Sequence, residues 1–242
     1  RMVAKSSASV ARGLPVRQPS WVACSANCGM ASRSAAVSAR VSGMRTSAAR
    51  RRTAPTAFSA STRAGFDGSM SVLPMYSRLV VEDSHFEGGR DAVYTHYADG
   101  TVVRDNYMAG MRYGFHEMYT SETLAYNNTI RDTMTGIILM TRPTGNIQVG
   151  NDVYNSEIGI STSGGASFTT DNVLVNNNIG LSIGTSRSIY RRNTIVENDI
   201  GVRSSTMLPT NDVVANDVVA NDQPVSASLG TLNKWAVDGR GN

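Results

Sequence analysis

The sequence predicts an all-β fold, a right-handed parallel β-helix of about seven coils with about 22 residues in each, on three observations. The first is a ladder: Asn106, Asn128, Asn151, Asn172, Asn193 and Asn216 recur at intervals of 22, 23, 21, 21 and 23 residues, with Ser84 one interval earlier. The second is a glycine at a fixed offset. Gly114, Gly136, Gly159, Gly180 and Gly201 each lie eight residues after their Asn, and Ala92 and Pro224 take that place at the two ends. A constant offset inside a variable period describes one structural unit with a loop of adjustable length. The third is a set of apolar columns in short period-two runs, which read as strands and not helices.

Each element of the coil has its own residues. Four places before the ladder stand Val80, Val102, Leu124, Ile147, Phe168 and Ile189. Two places after it stand Phe86, Met108, Ile130, Val153, Leu174, Ile195 and Val218, and one place after the glycine stand Val93, Phe115, Ile137, Ile160, Leu181, Val202 and Val225. Three short strands per coil, stacked about 4.8 Å from the next coil, would bury a continuous core that no single coil could bury alone. The Asn is expected at a corner, where it tolerates a left-handed or bridge conformation and pairs its amide with the Asn above and below. The Gly is expected to supply a backbone angle that a side chain resists. Both ladders are therefore read as structural.

Charge divides the chain in two. Residues 1 to 66 hold ten Arg, one Lys and no acid, whereas the remainder holds twelve basic and nineteen acidic residues. The repeat region is mildly acidic, which argues against nucleic-acid binding. Residues 1–70 form an Arg/Ser/Ala-rich tail, disordered or foreign to the repeat domain, ahead of a β-helix over 71–242. Its apolar residues are too sparse to offset the entropy of ordering it. A transit peptide, a basic tail for acidic surfaces and a segment not native to the domain all match that composition. No apolar run of export-signal length follows the basic start. Cys24 and Cys28, spaced C-x3-C without nearby His, read as incidental thiols.

The segment Met111–Thr120, reading MRYGFHEMYT, is followed one coil later by TGIILMTR, then by EIGISTSGG, and the chain closes on NKWAVDGRGN. In these segments it resembles the NosD family of nitrous oxide reductase maturation proteins, over about residues 75 to 242, as a partial sequence. The pattern R-Y-x-x-H-x-M-Y-T of that family is matched by Arg112, Tyr113, His116, Met118, Tyr119 and Thr120. The resemblance implies a non-enzymatic, periplasmic or extracytoplasmic β-helix. It also implies partnership with an ABC-type ATPase and permease, and so a peripheral place at the membrane, in assembling the copper–sulfide centre of nitrous oxide reductase.

The same coils carry a chemical pattern of their own. Ten places after the ladder stand Tyr94, His116, Ile138 and Ser161; twelve places after it stand His96, Met118, Met140 and Ser163. If the residues between them point inward, His96, His116, Met118 and Met140 gather on one outer face. Imidazole and thioether are the ligands that suit Cu(I), so this face is expected to hold Cu(I) transiently. With Tyr94, Tyr97, Arg112, Tyr113 and Tyr119 around it, the face suits docking of a protein partner better still, and both roles can share the surface. Met108 reads as core filler. Glu117 falls inward, which implies a cavity, a pairing with Arg90 or Arg112, or a register shift. Asp83, Asp105 and Asp171 read as solvated turn acids rather than a Ca²⁺ site. The competing class is a secreted carbohydrate-binding or carbohydrate-active β-helix of the lyase or epimerase kind, which would need clustered Asp, Arg and Lys on an outer strand.

Overall fold

The computed structural model describes residues 56–58, 61–63, 70–141, 144–205, 211–227, 233–239 and 241–242. Its 24 short strands form three parallel sheets of eight, and each sheet takes every third strand in chain order. Each coil thus gives one strand to each sheet, and the chain is a parallel β-helix without α-helices among the described residues. One rung precedes the seven read from the ladder: Thr56–Phe58 pairs with Leu79–Val81, and Ser61–Arg63 with His85–Glu87. Most of residues 1–70, Cys24 and Cys28 among them, lies outside the described residues.

Two of the three apolar columns fill the interior as expected, except at their last members, Val218, which is half-buried, and Val225, which is 40% exposed. Phe86, Met108, Ile130, Val153, Leu174 and Ile195 are fully buried, and so are Val93, Phe115, Ile137, Ile160, Leu181 and Val202. Met108 is core filler, as its column implied. The third column is one residue out of register. Val80, Val102 and Leu124 are only partly buried, and Ile147 and Ile189 are exposed. The inward residues of that sheet are their successors: Val81, Val103, Ala125, Gln148, Thr169, Tyr190 and Val213. In a strand a shift of one exchanges inside for outside.

The corners divide the work differently from the sequence reading. The left-handed residue is the one before the ladder Asn: Asp83 (φ 48°), Asp105 (57°), Asn127 (52°), Gly150 (63°) and Asp171 (56°). The turn acids are therefore part of the corner itself: five of its seven places hold Asp, Asn or Gly, which tolerate left-handed backbone, and Arg192 and Ala215 (φ 53° each) take the other two. The ladder Asn then ties the coils together. Asn151 Nδ2 donates to Asn172 Oδ1 at 2.9 Å and to Ala125 O at 3.0 Å, and its own Oδ1 accepts from the Asn128 backbone N–H (3.1 Å) and side chain (2.9 Å). Its side-chain amide is thereby used on both sides, inside a site shut off from water. A second amide run at Asn177, Asn198 and Asn221 and a third pair at Asn211 and Asn233 repeat the device at other corners.

The glycine ladder has another cause than backbone angle, since none of its five members has a positive φ. A Cβ on Gly136 would lie 2.7 Å from the carbonyl oxygen of Gly159 and 2.4 Å from Val153 Cγ1, and the other four meet the next coil's backbone at 2.5–2.9 Å. Close approach of successive coils excludes a side chain there.

Candidate functional site

The strands Asp91–His96, Tyr113–Met118 and Thr135–Met140 stack in register on the third sheet. Val93, Thr95, Phe115, Glu117, Ile137 and Leu139 point inward and are fully buried. Strand alternation sends the intervening residues to the outer wall. There Tyr94, His116 and Ile138 form one row, and His96, Met118 and Met140 form the next.

Contacts knit part of this wall into a cluster. The Tyr94 hydroxyl lies 3.0 Å from His96 Nδ1 and 3.0 Å from Met118 Sδ. A thioether sulfur only accepts and a phenol has one proton, so Tyr94 donates to Met118 and His96 Nδ1–H donates to Tyr94. On that assignment the His96 proton sits on Nδ1 and the Nε2 lone pair is the one left to accept. Met140 follows Met118 in register and is half-buried. His85, the third histidine, stacks on Tyr107 (4.6 Å) on the second sheet and takes no part in the cluster.

His116 stands in the outer row yet is only 3% exposed. The rings of Tyr94 and Tyr113 close on it edge to face at 4.6 and 4.8 Å. Its Nδ1 is 3.1 Å from Asp91 Oδ2, so Nδ1–H donates to a carboxylate that can only accept. Asp91 also accepts both Arg112 Nε and Nη2, at 3.3 and 3.2 Å, and the Arg112 guanidinium lies 4.3 Å over the Tyr113 ring. Arg112 and Tyr113 are thus engaged in enclosing Asp91 and His116. His116 Nε2 is buried and has no hydrogen-bond partner.

Beside the cluster Tyr76, Tyr97 and Tyr119 occupy successive left-handed corners (φ 53°, 50° and 52°). Their rings stack at 5.2 and 5.1 Å along the axis, and Tyr97 and Tyr119 are each 45% exposed. His96 leans on both, at 4.7 and 5.5 Å.

Glu117 points inward, and its partners are none of those proposed for it. Its Oε2 accepts from Thr123 Oγ1 at 2.6 Å and from the Asn146 side chain. The Gln148 amide approaches without completing a bond, since its Nε2 and Glu117 Oε1 both lack a partner. Burial pushes the carboxyl up to about 8 against the opposing effect of these donors, so it is chiefly a neutral acid at pH 7.

Sequence reasoning missed Asp91 and Tyr76. Asp91 follows Gly88, Gly89 and Arg90, so it reads as a turn residue, although its register partner is Tyr113 in mid-wall. The usable signal is the column: an acid in line with Tyr113, Thr135 and Ile158 is out of character for a strand.

Fold and wall together define a solenoid scaffold that displays a patch of imidazole, thioether and phenol groups on one flank. The chain belongs to the NosD family: a family model described as "Periplasmic copper-binding protein (NosD)" matches residues 56–242. That description agrees, for the family, with the copper and the compartment that the resemblance implied. A search of curated proteins returned no match. Among solved structures, the chain is similar to the A-module of mannuronan C-5 epimerase AlgE6 from Azotobacter vinelandii, at 13% identity and a TM-score of 0.42. That alignment covers 67% of this chain and 59% of the module.

Imidazole and thioether are ligand types that suit Cu(I). Among the described residues no three His, Cys, Asp or Glu side chains converge; the Tyr94 hydroxyl brings His96 and Met118 together, an imidazole and a thioether. His116 has the arrangement found in metal-binding histidines, one ring nitrogen tied to a carboxylate and the other unpartnered.

Proposed function

We propose that this chain is a non-catalytic periplasmic accessory protein that carries Cu(I) on its outer wall during assembly of the copper–sulfide centre of nitrous oxide reductase. His96, His116 and Met118 hold the ion through nitrogen and sulfur, with Met140 as the neighbouring soft donor. The ion is cargo, taken up and passed on. The observation that carries this reading is the buried, unpartnered Nε2 of His116, whose ring is braced by Asp91 and packed on the same Tyr94 that contacts His96 and Met118. The exposed stack of Tyr76, Tyr97 and Tyr119 beside the donors supports docking of the client protein at the same place. An ABC-type ATPase and permease complete the assembly in this proposal, on the strength of the family resemblance. The carbohydrate reading gains no support from the wall, because its acid–arginine group of Asp91, Arg90 and Arg112 is closed on itself behind His116.

Isothermal titration with Cu(I) under reducing conditions tests the proposal. The intact protein is expected to give a saturable heat. A His116→Ala/Met118→Ala variant with unchanged unfolding should bind at least about tenfold more weakly, the loss of roughly 1.4 kcal/mol or more. Equal, negligible heats for both would leave client docking as the only role of this wall.

A further inference from the structure

Tyr94 touches three of the four donors at once: its ring closes on His116, and its hydroxyl bridges His96 and Met118. The hydroxyl proton caps a sulfur lone pair that a metal would need. The ring is one of two packed on the His116 imidazole, whose Nε2 is buried. These two rings are not held alike. Tyr113 lies under the Arg112 guanidinium, which Asp91 grips with both oxygens. For Tyr94 the hydrogen bonds run to the donors themselves, and it is half-buried, so water can replace both bonds if the side chain turns out. Turning a phenol about its side-chain torsions is a rotamer change that leaves the strand ladder intact.

We infer that Tyr94 is the gate of this donor cluster: it closes the cluster in the metal-free protein, and its outward rotation frees Met118 Sδ and uncovers His116 Nε2 in one movement. The inference rests on the reading of the wall as a Cu(I) site, and it adds how that site is kept from reacting before the ion arrives. In the closed arrangement a single phenol protects the thioether from oxidation and leaves His96 Nε2 as the first nitrogen an incoming ion can meet.

The gate can be tested without metal. His116 modification by diethyl pyrocarbonate and Met118 oxidation by peroxide are mapped by mass spectrometry in the intact protein, Tyr94→Phe and Tyr94→Ala. The expectation is that Tyr94→Ala speeds both reactions about tenfold, because reactivity follows exposure. Tyr94→Phe keeps the ring, and should speed Met118 oxidation several-fold while leaving His116 protected. Cu(I) association, followed by competition with a chromogenic chelator, should quicken in the same order. Unchanged reactivity of both residues in Tyr94→Ala overturns the gate whatever copper does. Slower Cu(I) uptake by Tyr94→Phe than by the intact protein also overturns it, by making the phenol a ligand. Faster modification with no Cu(I) uptake by any of the three proteins upholds the gate and sinks the copper reading. If Tyr94→Ala fails to fold, Met118 oxidation in Tyr94→Phe decides alone.

Discussion

The amino-terminal and carboxy-terminal halves of the third sheet share one backbone and differ on their outer face. In the early coils the two outer rows read Tyr94, His116, Ile138 and His96, Met118, Met140; in the later coils the same rows read Ser161, Ser182, Arg203 and Ser163, Gly184. Inside, the rows run without a break from Val93 and Phe115 to Leu181 and Val202, all fully buried. Coil geometry is therefore set by the inner rows, the amide corners and the close approach of the glycines. The outer rows are free to vary, and chemistry can be placed on one stretch of wall without altering the fold beneath it.

The comparison is broken most forcefully by removing a part that both halves use. Asn151 sits where the wall changes character, and its amide links Asn128 above to Asn172 below. Asn151→Leu leaves Asn172 Oδ1, Ala125 O and the donors of Asn128 facing an apolar side chain. The expected cost is roughly 3–5 kcal/mol, with both halves melting in one transition at lower temperature. Calorimetry checks this. An unchanged transition would mean that the coils are held by the sheets alone.

Glu117 sharpens the contrast, because the early coils hide an acid where the later ones carry Thr162 and Ile183. Its carboxyl is raised from 4.5 to about 8 in the folded protein, so the native state keeps a proton that the unfolded chain has lost between those values. The stabilising contribution of the protonated form is complete below pH 4.5, falls as the pH rises towards 8, and is gone above it. The decline amounts to roughly 3–5 kcal/mol. Glu117→Gln keeps the amide-like shape without the ionisation, and in metal-free protein its unfolding free energy should lack that slope. Parallel pH profiles for the two proteins would show that Glu117 does not titrate as assigned.

What repeats along the chain is legible in its sequence, and what does not repeat is not. The Asn ladder, the glycine offset and two inner columns are periodic, and periodicity survives any ignorance of contacts. The first sheet was misread by one residue for a physical reason. Its inward row contains Gln148 and Thr169, which bond each other at 3.0 Å in the interior, while its outward row is rich in β-branched residues that suit any strand surface. Apolarity therefore marked the wrong face. On the wall, alternation placed the rows of His96, His116, Met118 and Met140 in register. It could not show that Asp91, 25 residues away in sequence, would brace His116 from behind. Nor could it show that two tyrosine rings would bury that imidazole, because those are contacts across coils between residues that repeat nowhere else.

The smallest expected effect tests the corrected register itself. Ile147 lies in the outward row and is 38% exposed, whereas Ile130 lies in an inner row and is fully buried. Ile147→Thr replaces a methyl-bearing branch by a hydroxyl, yet on the solvent face it should shift stability by less than about 0.5 kcal/mol. Ile130→Val removes one methylene and should cost about 0.5–1.5 kcal/mol, since the coils around it cannot close the gap. Urea unfolding of the two variants ranks them directly. The milder chemical change is expected to be the more damaging, because position in the strand and not chemistry decides the cost. The opposite ranking would put Ile147 in the core and shift the whole first sheet by one residue.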